Sequence, residues 1–301
     1  MMSAILVADI GGTNVKIGFV MDGVPQSYVR QFPTADLRNH QPVVSLARMI
    51  AAAIEEAKLR PDSIVSTVPG FLDKGATKVL FAANIPELNG CELAIELTRV
   101  SGLPVILERD SVLALMGEYV AGSCKAHESV VGFFFGTGVG AAYLENGRAF
   151  RGSGWALEIG HMPYNGSRRW LGADRAECLE AFVSGKVLEH IAQEHGVAIS
   201  DVFTAAKKNA ALAGNVADFV HNQANAVGSA IAVLSPETIL LGGGICSMTD
   251  FPREQLISAI EQSFPFEQIG QPIAIRWASL GWQSVLHGAP LVHAERNKAQ
   301  P

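Results

Sequence analysis

Two glycine-rich segments carry the first suggestion of chemistry. Asp9-Ile10-Gly11-Gly12-Thr13-Asn14 follows an apolar run directly. Glycines let a backbone turn sharply and bring its N–H groups close to a phosphate. Thr13 and Asn14 add side-chain donors, and Asp9, at a strand end, is placed to orient the hydration shell of Mg²⁺. A plain β-turn is the other use of the same residues. Phe135-Gly136-Thr137-Gly138-Val139-Gly140 would wrap a second phosphate. Through Ala141 it also fits the looser dinucleotide pattern GxGxxA, which demands a helix directly after the loop. Here Ala141-Ala142-Tyr143-Leu144 and then Asn146-Gly147 follow, which predict a strand and a tight turn instead. No GxxxxGK[ST] exists, so a P-loop is excluded. A third run, Gly242-Gly243-Gly244, lies between a predicted strand and a predicted helix. It could admit a ligand against the backbone or serve helix packing.

Asp110, in Leu107-Glu108-Arg109-Asp110-Ser111, is open to two readings. It could cap the helix that follows, a common use of Asp. It could equally be a general base at the carboxyl end of a strand. Glu158-Ile159-Gly160-His161 has ExxH spacing, but a di-iron bundle needs two such copies and only one is present. Gly160 argues against a helix there, and polar ligand contacts from a loop suit the segment better.

The elements that must position these residues form two similar halves. Ile5 to Gly23 and Val131 to Gly147 each read as strand, glycine loop, strand and an Asp-Gly or Asn-Gly turn. Such dipeptides are the strongest short hairpin signals, because a type I′ turn needs positive φ. Each half therefore opens with an antiparallel meander and then turns α/β. In the first half, Pro42–Lys58, Cys91–Val100 and Ser111–Val120 are predicted helices, and Ile64–Val68 and Val105–Leu107 are strands. In the second, helices are predicted at Ala176–Val183, Lys186–His195, Asp218–Leu234, Glu254–Phe264 and Val285–Asn297, with strands at Thr238–Leu241 and Ile273–Trp277. The halves are expected to divide near Val120–Lys125.

Composition narrows the function classes. The 301 residues are 49% hydrophobic, enough for one large core or two ordinary ones. No apolar stretch is long enough to span a bilayer, and the start lacks a basic n-region, so no membrane segment or signal peptide is expected. The sequon Asn165-Gly166-Ser167 then carries no meaning. A net charge of −6 without a Lys/Arg block argues against nucleic acid as a partner. Cys91, Cys124, Cys178 and Cys246 are scattered with no CxxC, as in a cytoplasmic protein with reduced thiols.

Taken together, these residues resemble the ROK family (repressors, open reading frames, kinases) of the actin/hexokinase-like superfamily. The motifs run in family order from Asp9-Ile-Gly-Gly-Thr13 through Pro69-Gly70, Asn84-Ile-Pro86, Arg109-Asp110, Gly136-Thr-Gly138 and Glu158-Ile-Gly-His161 to Cys178-Leu-Glu180 and Gly242-Gly-Gly244. The resemblance implies an α/β, two-domain actin-like (ribonuclease H-like) ATPase fold with an interdomain cleft. Its domains would be 1–120 and 121–301, and the final helix is free to pack back on the first. It implies an ATP-dependent sugar kinase. Asp9, Gly11, Gly12 and Thr13, with Gly136, Thr137 and Gly138, would hold the ATP phosphates and their Mg²⁺, and Gly243 and Gly244 would approach the adenosine. Asn84, Asp110, Glu158, His161 and Glu180 would bind sugar hydroxyls, with Asp110 as the base. The acceptor would be a hexose, at its 6-hydroxyl. Arg109-Asp110, the Leu240–Met248 stretch and Phe251-Pro-Arg-Glu254 put D-allose first, ahead of glucose, fructose, mannose and N-acetylmannosamine.

A non-catalytic sugar-binding regulator is the rival class. A repressor's extra N-terminal helix-turn-helix has no room before Asp9. The resemblance leaves a homodimer open. Many relatives hold a structural zinc through a His and three Cys. Aligned here, only His161 and Cys178 survive, two cysteine positions fall on Leu171 and Ala173, and Asp174 is the one further candidate. No structural zinc is expected, since such sites need four ligands. Trp170 and Leu171 would hold the loop by burial instead, aided by Arg168, Arg169 or Arg175 pairing with Asp174 or Glu177. Leu157 stands where relatives usually carry Gly.

Overall fold

The computed structural model of the chain describes residues 4–125, 127, 129–165 and 178–298. The expected packing of Trp170 and Leu171, the pairing of Arg168, Arg169, Arg175, Asp174 and Glu177, and the start of the helix at Ala176 fall outside these residues. Two compact units divide the chain. One comprises Met1–Ala126, Gly147–Ala156 and Ser279–Pro301, and the other His127–Asn146 and Leu157–Ala278.

The first unit opens with β1 (Ala4–Ile10), β2 (Asn14–Met21) and β3 (Val24–Pro33), an antiparallel meander. Then come α1 (Pro42–Ala57), β4 (Ser63–Val68), a small ribbon of β5 (Phe71–Leu72) and β6 (Val79–Phe81), α2 (Leu93–Ser101), β7 (Val105–Arg109) and α3 (Asp110–Ala121). The sheet order is β3-β2-β1-β4-β7, and β1, β4 and β7 run parallel. β1 and β4 are almost wholly buried; the near-continuous apolar sequence of β1 suits a strand covered on both faces, whereas β4 buries the small hydroxyl residues Ser63, Ser66 and Thr67 among its apolar ones.

In the second unit, β8 (Ser129–Phe135) and β9 (Val139–Glu145) form an antiparallel hairpin, after which the chain enters β10 (Arg148–Ala149), a segment of the first unit. Short helices α4 (Glu180–Val183), α5 (Gly185–Glu194) and α6 (Val202–Ala206) precede the long α7 (Ala210–Leu234). β11 (Thr238–Gly242), α8 (Arg253–Ser263), α9 (Phe266–Ile269) and β12 (Ala274–Trp277) follow. Within this unit the strand order is β9-β8-β11-β12, with β8, β11 and β12 parallel. The two units therefore repeat one topology, an antiparallel hairpin whose first strand then gains two parallel neighbours.

Both hairpin turns are built as their dipeptides require. Asp22 and Gly23 have φ of 48° and 79°, and Asn146 and Gly147 have 48° and 72°. Two successive positive φ values define the type I′ turn. The last helix, α10 (Gln283–Lys298), packs on α3 within the first unit.

α7 starts well before the predicted Asp218. The Asn209 side chain accepts from the N–H groups of Ala211 at 3.0 Å and Leu212 at 3.1 Å, a helix cap that extends the element by two turns. Among the described residues no helix is long and apolar enough to cross a membrane.

Candidate active site

In the first unit the glycine loop is the short link between β1 and β2. Gly11 N–H donates to the Asn14 carbonyl at 2.9 Å, which closes the turn. Thr34 fastens it from outside. Its hydroxyl donates to the Gly11 carbonyl at 2.7 Å and its N–H to the Thr13 carbonyl at 2.9 Å. Asp9 is held by Thr67 of β4, whose buried hydroxyl donates to Asp9 Oδ1 at 2.8 Å and accepts from Ile10 N–H at 2.9 Å. Burial holds the Asp9 carboxyl above its ordinary range, against the pull of the Thr67 hydroxyl and the Lys16 charge. Lys16 is the β2 partner of Asp9 in the ladder, and its ammonium lies 5.8 Å from the Trp282 ring centroid. Neither Thr34, Thr67 nor Lys16 stands out in the sequence. Thr67 reaches Asp9 only through the pairing of β1 with β4, distant in sequence, and Thr34 reaches the turn from the end of β3.

Asn84 joins this loop. A Cβ built on Gly12 would stand 3.3 Å from Asn84 Nδ2. Glycine there leaves the amide beside the phosphate-type turn.

Asp110 is exposed, whereas the two residues before it are almost fully buried, each 1% exposed. Glu108 anchors that burial. Its Oε2 accepts from Arg151 Nε at 2.7 Å and Arg296 Nη2 at 3.4 Å, and Arg151 also reaches Glu295 at 2.8 Å. A buried carboxylate is tolerated when paired in this way. Asp110 is the first residue of α3 rather than its cap, which is Arg109, and its Oδ1 accepts from Ser111 N–H at 2.7 Å. Asp110 thus follows β7 and Asp9 is the penultimate residue of β1, with only β4 between the two strands. At the usual strand spacing this puts their carboxyl ends about 10 Å apart. Open α/β sheets bind ligands at such ends.

The second unit assembles the other predicted residues. The loop after β8 leads straight into β9, an antiparallel strand, so the helix that a dinucleotide fingerprint needs is absent. Gly185 N–H donates to the Gly136 carbonyl at 2.7 Å. Glu180, the first residue of α4, accepts from Val139 N–H at 3.1 Å through Oε2. Gly243 has φ of 93°, and a Cβ there would lie 2.2 Å from the Phe135 carbonyl oxygen. Ile245 N–H donates to that same oxygen at 3.0 Å. Gly243 and Gly244 are therefore seated on the root of the Gly136-Thr137-Gly138 loop. Glu158 caps a 3₁₀ turn, Ile159–His161, whose last residue, His161, donates its N–H to the Glu158 carbonyl at 3.1 Å. That is a loop-like setting. Leu179 N–H donates to the Met162 carbonyl at 2.9 Å and joins this turn to the chain carrying Cys178 and Glu180. Among the described residues no group of three or more His, Cys, Asp or Glu side chains is placed to hold a metal ion. Asp174 lies outside them.

Two duplicated α/β sheets, each with a glycine turn between its first two strands, define the actin-like ATPase class. The chain has the α/β fold of solved ROK sugar-kinase structures. It superposes on the ROK hexokinase of Thermus thermophilus with a TM-score of 0.80 and 25% identity, covering 98% of this chain and 99% of that one. It also superposes on a Streptomyces griseus ROK family glucokinase solved with glucose and AMPPNP, with a TM-score of 0.76, 24% identity and coverage of 96% and 98%. In sequence it is 29% identical to a glucokinase of Halalkalibacterium halodurans over 97% of this chain and 96% of that protein. The ROK family model matches residues 5–295. The chain belongs to the ROK family.

Proposed function

We propose that this chain is an ATP-dependent hexose kinase in which Asp110 takes the proton of the acceptor hydroxyl as its oxygen attacks the γ-phosphorus. The bond from that phosphorus to the β–γ bridging oxygen breaks, ADP leaves, and the proton resides on Asp110 until solvent removes it. The observation that carries this reading is the exposed carboxylate of Asp110, placed at the same sheet end as the Asp9-Gly11-Gly12 turn.

Phosphoryl transfer demands positioning and charge neutralisation more than covalent chemistry. Gly11, Gly12 and Thr13, with Gly136, Thr137 and Gly138, offer N–H groups and hydroxyls to the phosphates. Asp9 orients the hydrated Mg²⁺ that ATP carries, and Gly243 and Gly244 leave room for the adenosine. Asn84, Asp110, Glu158, His161 and Glu180 supply the mixed donors and acceptors that sugar hydroxyls require. Two actin-like domains with limits near residue 120 belong to the same proposal. So do D-allose as first acceptor and its 6-hydroxyl as the site of transfer. Arg109 is 1% exposed, so any influence it has on acceptor choice acts through the setting of Asp110. Absence of structural zinc is proposed too, and about one zinc per chain in elemental analysis would overturn that point alone.

The decisive experiment measures ATP consumption with Mg²⁺ across allose, glucose, fructose, mannose, N-acetylglucosamine and N-acetylmannosamine. Hexose-dependent ADP release is the expected result. Sugar binding without any hexose-dependent ADP release would make the chain a sugar-binding regulator instead.

A further inference from the structure

Glu180 makes contacts that a ligand for sugar hydroxyls does not need. Its Oε2 accepts from Val139 N–H at 3.1 Å. A Cβ built on Gly138 would stand 2.5 Å from Oε2 and 3.6 Å from Oε1, and one on Gly160 would stand 3.3 Å from Oε2. The carboxylate therefore rests directly against the second glycine loop, in space that only glycine leaves open. Its other oxygen, Oε1, makes no hydrogen bond among the described residues. The side chain is half-buried.

The backbone beneath Glu180 is fixed. Ala181, Phe182 and Val183 of α4 are buried in the core of the second unit. Two residues beyond them, Gly185 N–H holds the Gly136 carbonyl, and a Cβ at Gly185 would lie 2.8 Å from that same oxygen. One short stretch of chain, 180–185, thus grips both ends of the Gly136-Thr137-Gly138 loop. It does so with a carboxylate on Val139 and a peptide N–H on Gly136.

We infer that Glu180 is a positioning residue for the phosphate loop as well as a sugar ligand, so that acceptor and nucleotide binding are coupled through one carboxylate. The inference rests on the kinase reading. Oε2 sets the loop through Val139, and Oε1 remains for a sugar hydroxyl. A sugar that engages Oε1 stiffens the side chain and, with it, the loop that receives the phosphates. By linkage, nucleotide on the loop must strengthen sugar binding by the same factor.

The test is calorimetric titration of a non-hydrolysable ATP analogue with Mg²⁺ in the absence of any sugar, and separately of hexose alone, on wild type, Glu180→Ala, Glu180→Gln and Glu158→Gln. A hydrogen bond to a charged group is worth enough to change affinity about tenfold or more when it is lost. Glu180→Ala is expected to weaken nucleotide binding by about tenfold. Glu180→Gln keeps an oxygen for Val139 N–H, so it should recover most of that loss while sugar affinity stays reduced. Glu158→Gln should weaken sugar binding alone. Thermal midpoints of all four proteins separate a loop effect from general unfolding. If Glu180→Ala binds nucleotide as tightly as wild type and loses only sugar affinity, the inference is wrong and Glu180 is a sugar ligand alone. Wild type that binds no nucleotide would remove the kinase reading itself, and this inference with it.

Discussion

The carboxylate of Glu180 occupies the space that a side chain at Gly138 would need, with Oε2 only 2.5 Å from where a Cβ would be built. Gly138→Ala must therefore displace Glu180, since the opposing atom is the end of a side chain and the backbone need not move. Overpacking costs about 1–3 kcal/mol when backbone must shift. Here the low end, about 1 kcal/mol, is expected, read as a small drop in urea midpoint. Use of MgATP should fall far more, by about tenfold or more in kcat/KM. A variant with wild-type kcat/KM would show that the loop tolerates a displaced Glu180.

Glu118 of α3 is fully buried and ties together two distant stretches of the first unit. Its Oε1 accepts from the N–H groups of Ser279 and Leu280, both at 2.7 Å, and its Oε2 from Ser123 N–H at 3.0 Å and the Ser279 hydroxyl at 3.2 Å. Removing the carboxylate deletes hydrogen bonds to a charged acceptor, each worth about 1.5–3 kcal/mol, from part-buried donors at Ser123, Ser279 and Leu280. Glu118→Ala should destabilise the fold by about 3 kcal/mol or more in equilibrium denaturation. A loss under about 1 kcal/mol would mean that water replaces the carboxylate.

These two carboxylates mark the limit of what the sequence discloses. The hairpin turns at Asp22-Gly23 and Asn146-Gly147, the duplicated opening hairpin and the strand character of Ala141–Leu144 are local chemistry, and each is legible in a few residues. So is the placement of Asp110 at a strand end. The grip of Glu118 on Ser279, and of Glu180 on Val139, joins residues that only tertiary folding brings together. Thr67 is an ordinary strand-end threonine until β1 and β4 pair, and Thr34 meets the turn only when β3 pairs with β2. The early start of α7 was hidden because Asn209 is unremarkable among the small and polar residues around it, and its capping role emerges from its bonds to Ala211 and Leu212.

Leu157, beside Glu158, adopts φ of 63°, a left-handed conformation costly for a residue with a branched side chain. It packs partly buried against the core of the second unit. Glycine would relieve about 1–2 kcal/mol of backbone strain and forfeit a comparable amount of packing. Leu157→Gly should therefore stay within about 1 kcal/mol of wild type. Leu157→Ala keeps the strain and loses the packing, so it should be the least stable of the three proteins. Urea denaturation decides the ranking, and an alanine variant more stable than the glycine variant would mean that the strain is not real.

The role of Asp110 as base is tested most directly by Asp110→Asn in rapid-quench single turnover with saturating MgATP and a hexose that the wild type phosphorylates. Asparagine keeps the shape and the acceptor for Ser111 N–H, but it cannot take a proton. Loss of a general base typically lowers the rate about 10²–10⁴-fold. A fall in that range is expected, with nucleotide affinity unchanged and sugar affinity altered by no more than about threefold. Phosphorylation by Asp110→Asn at close to the wild-type rate would contradict it and leave Asp110 as the first residue of a helix and nothing more.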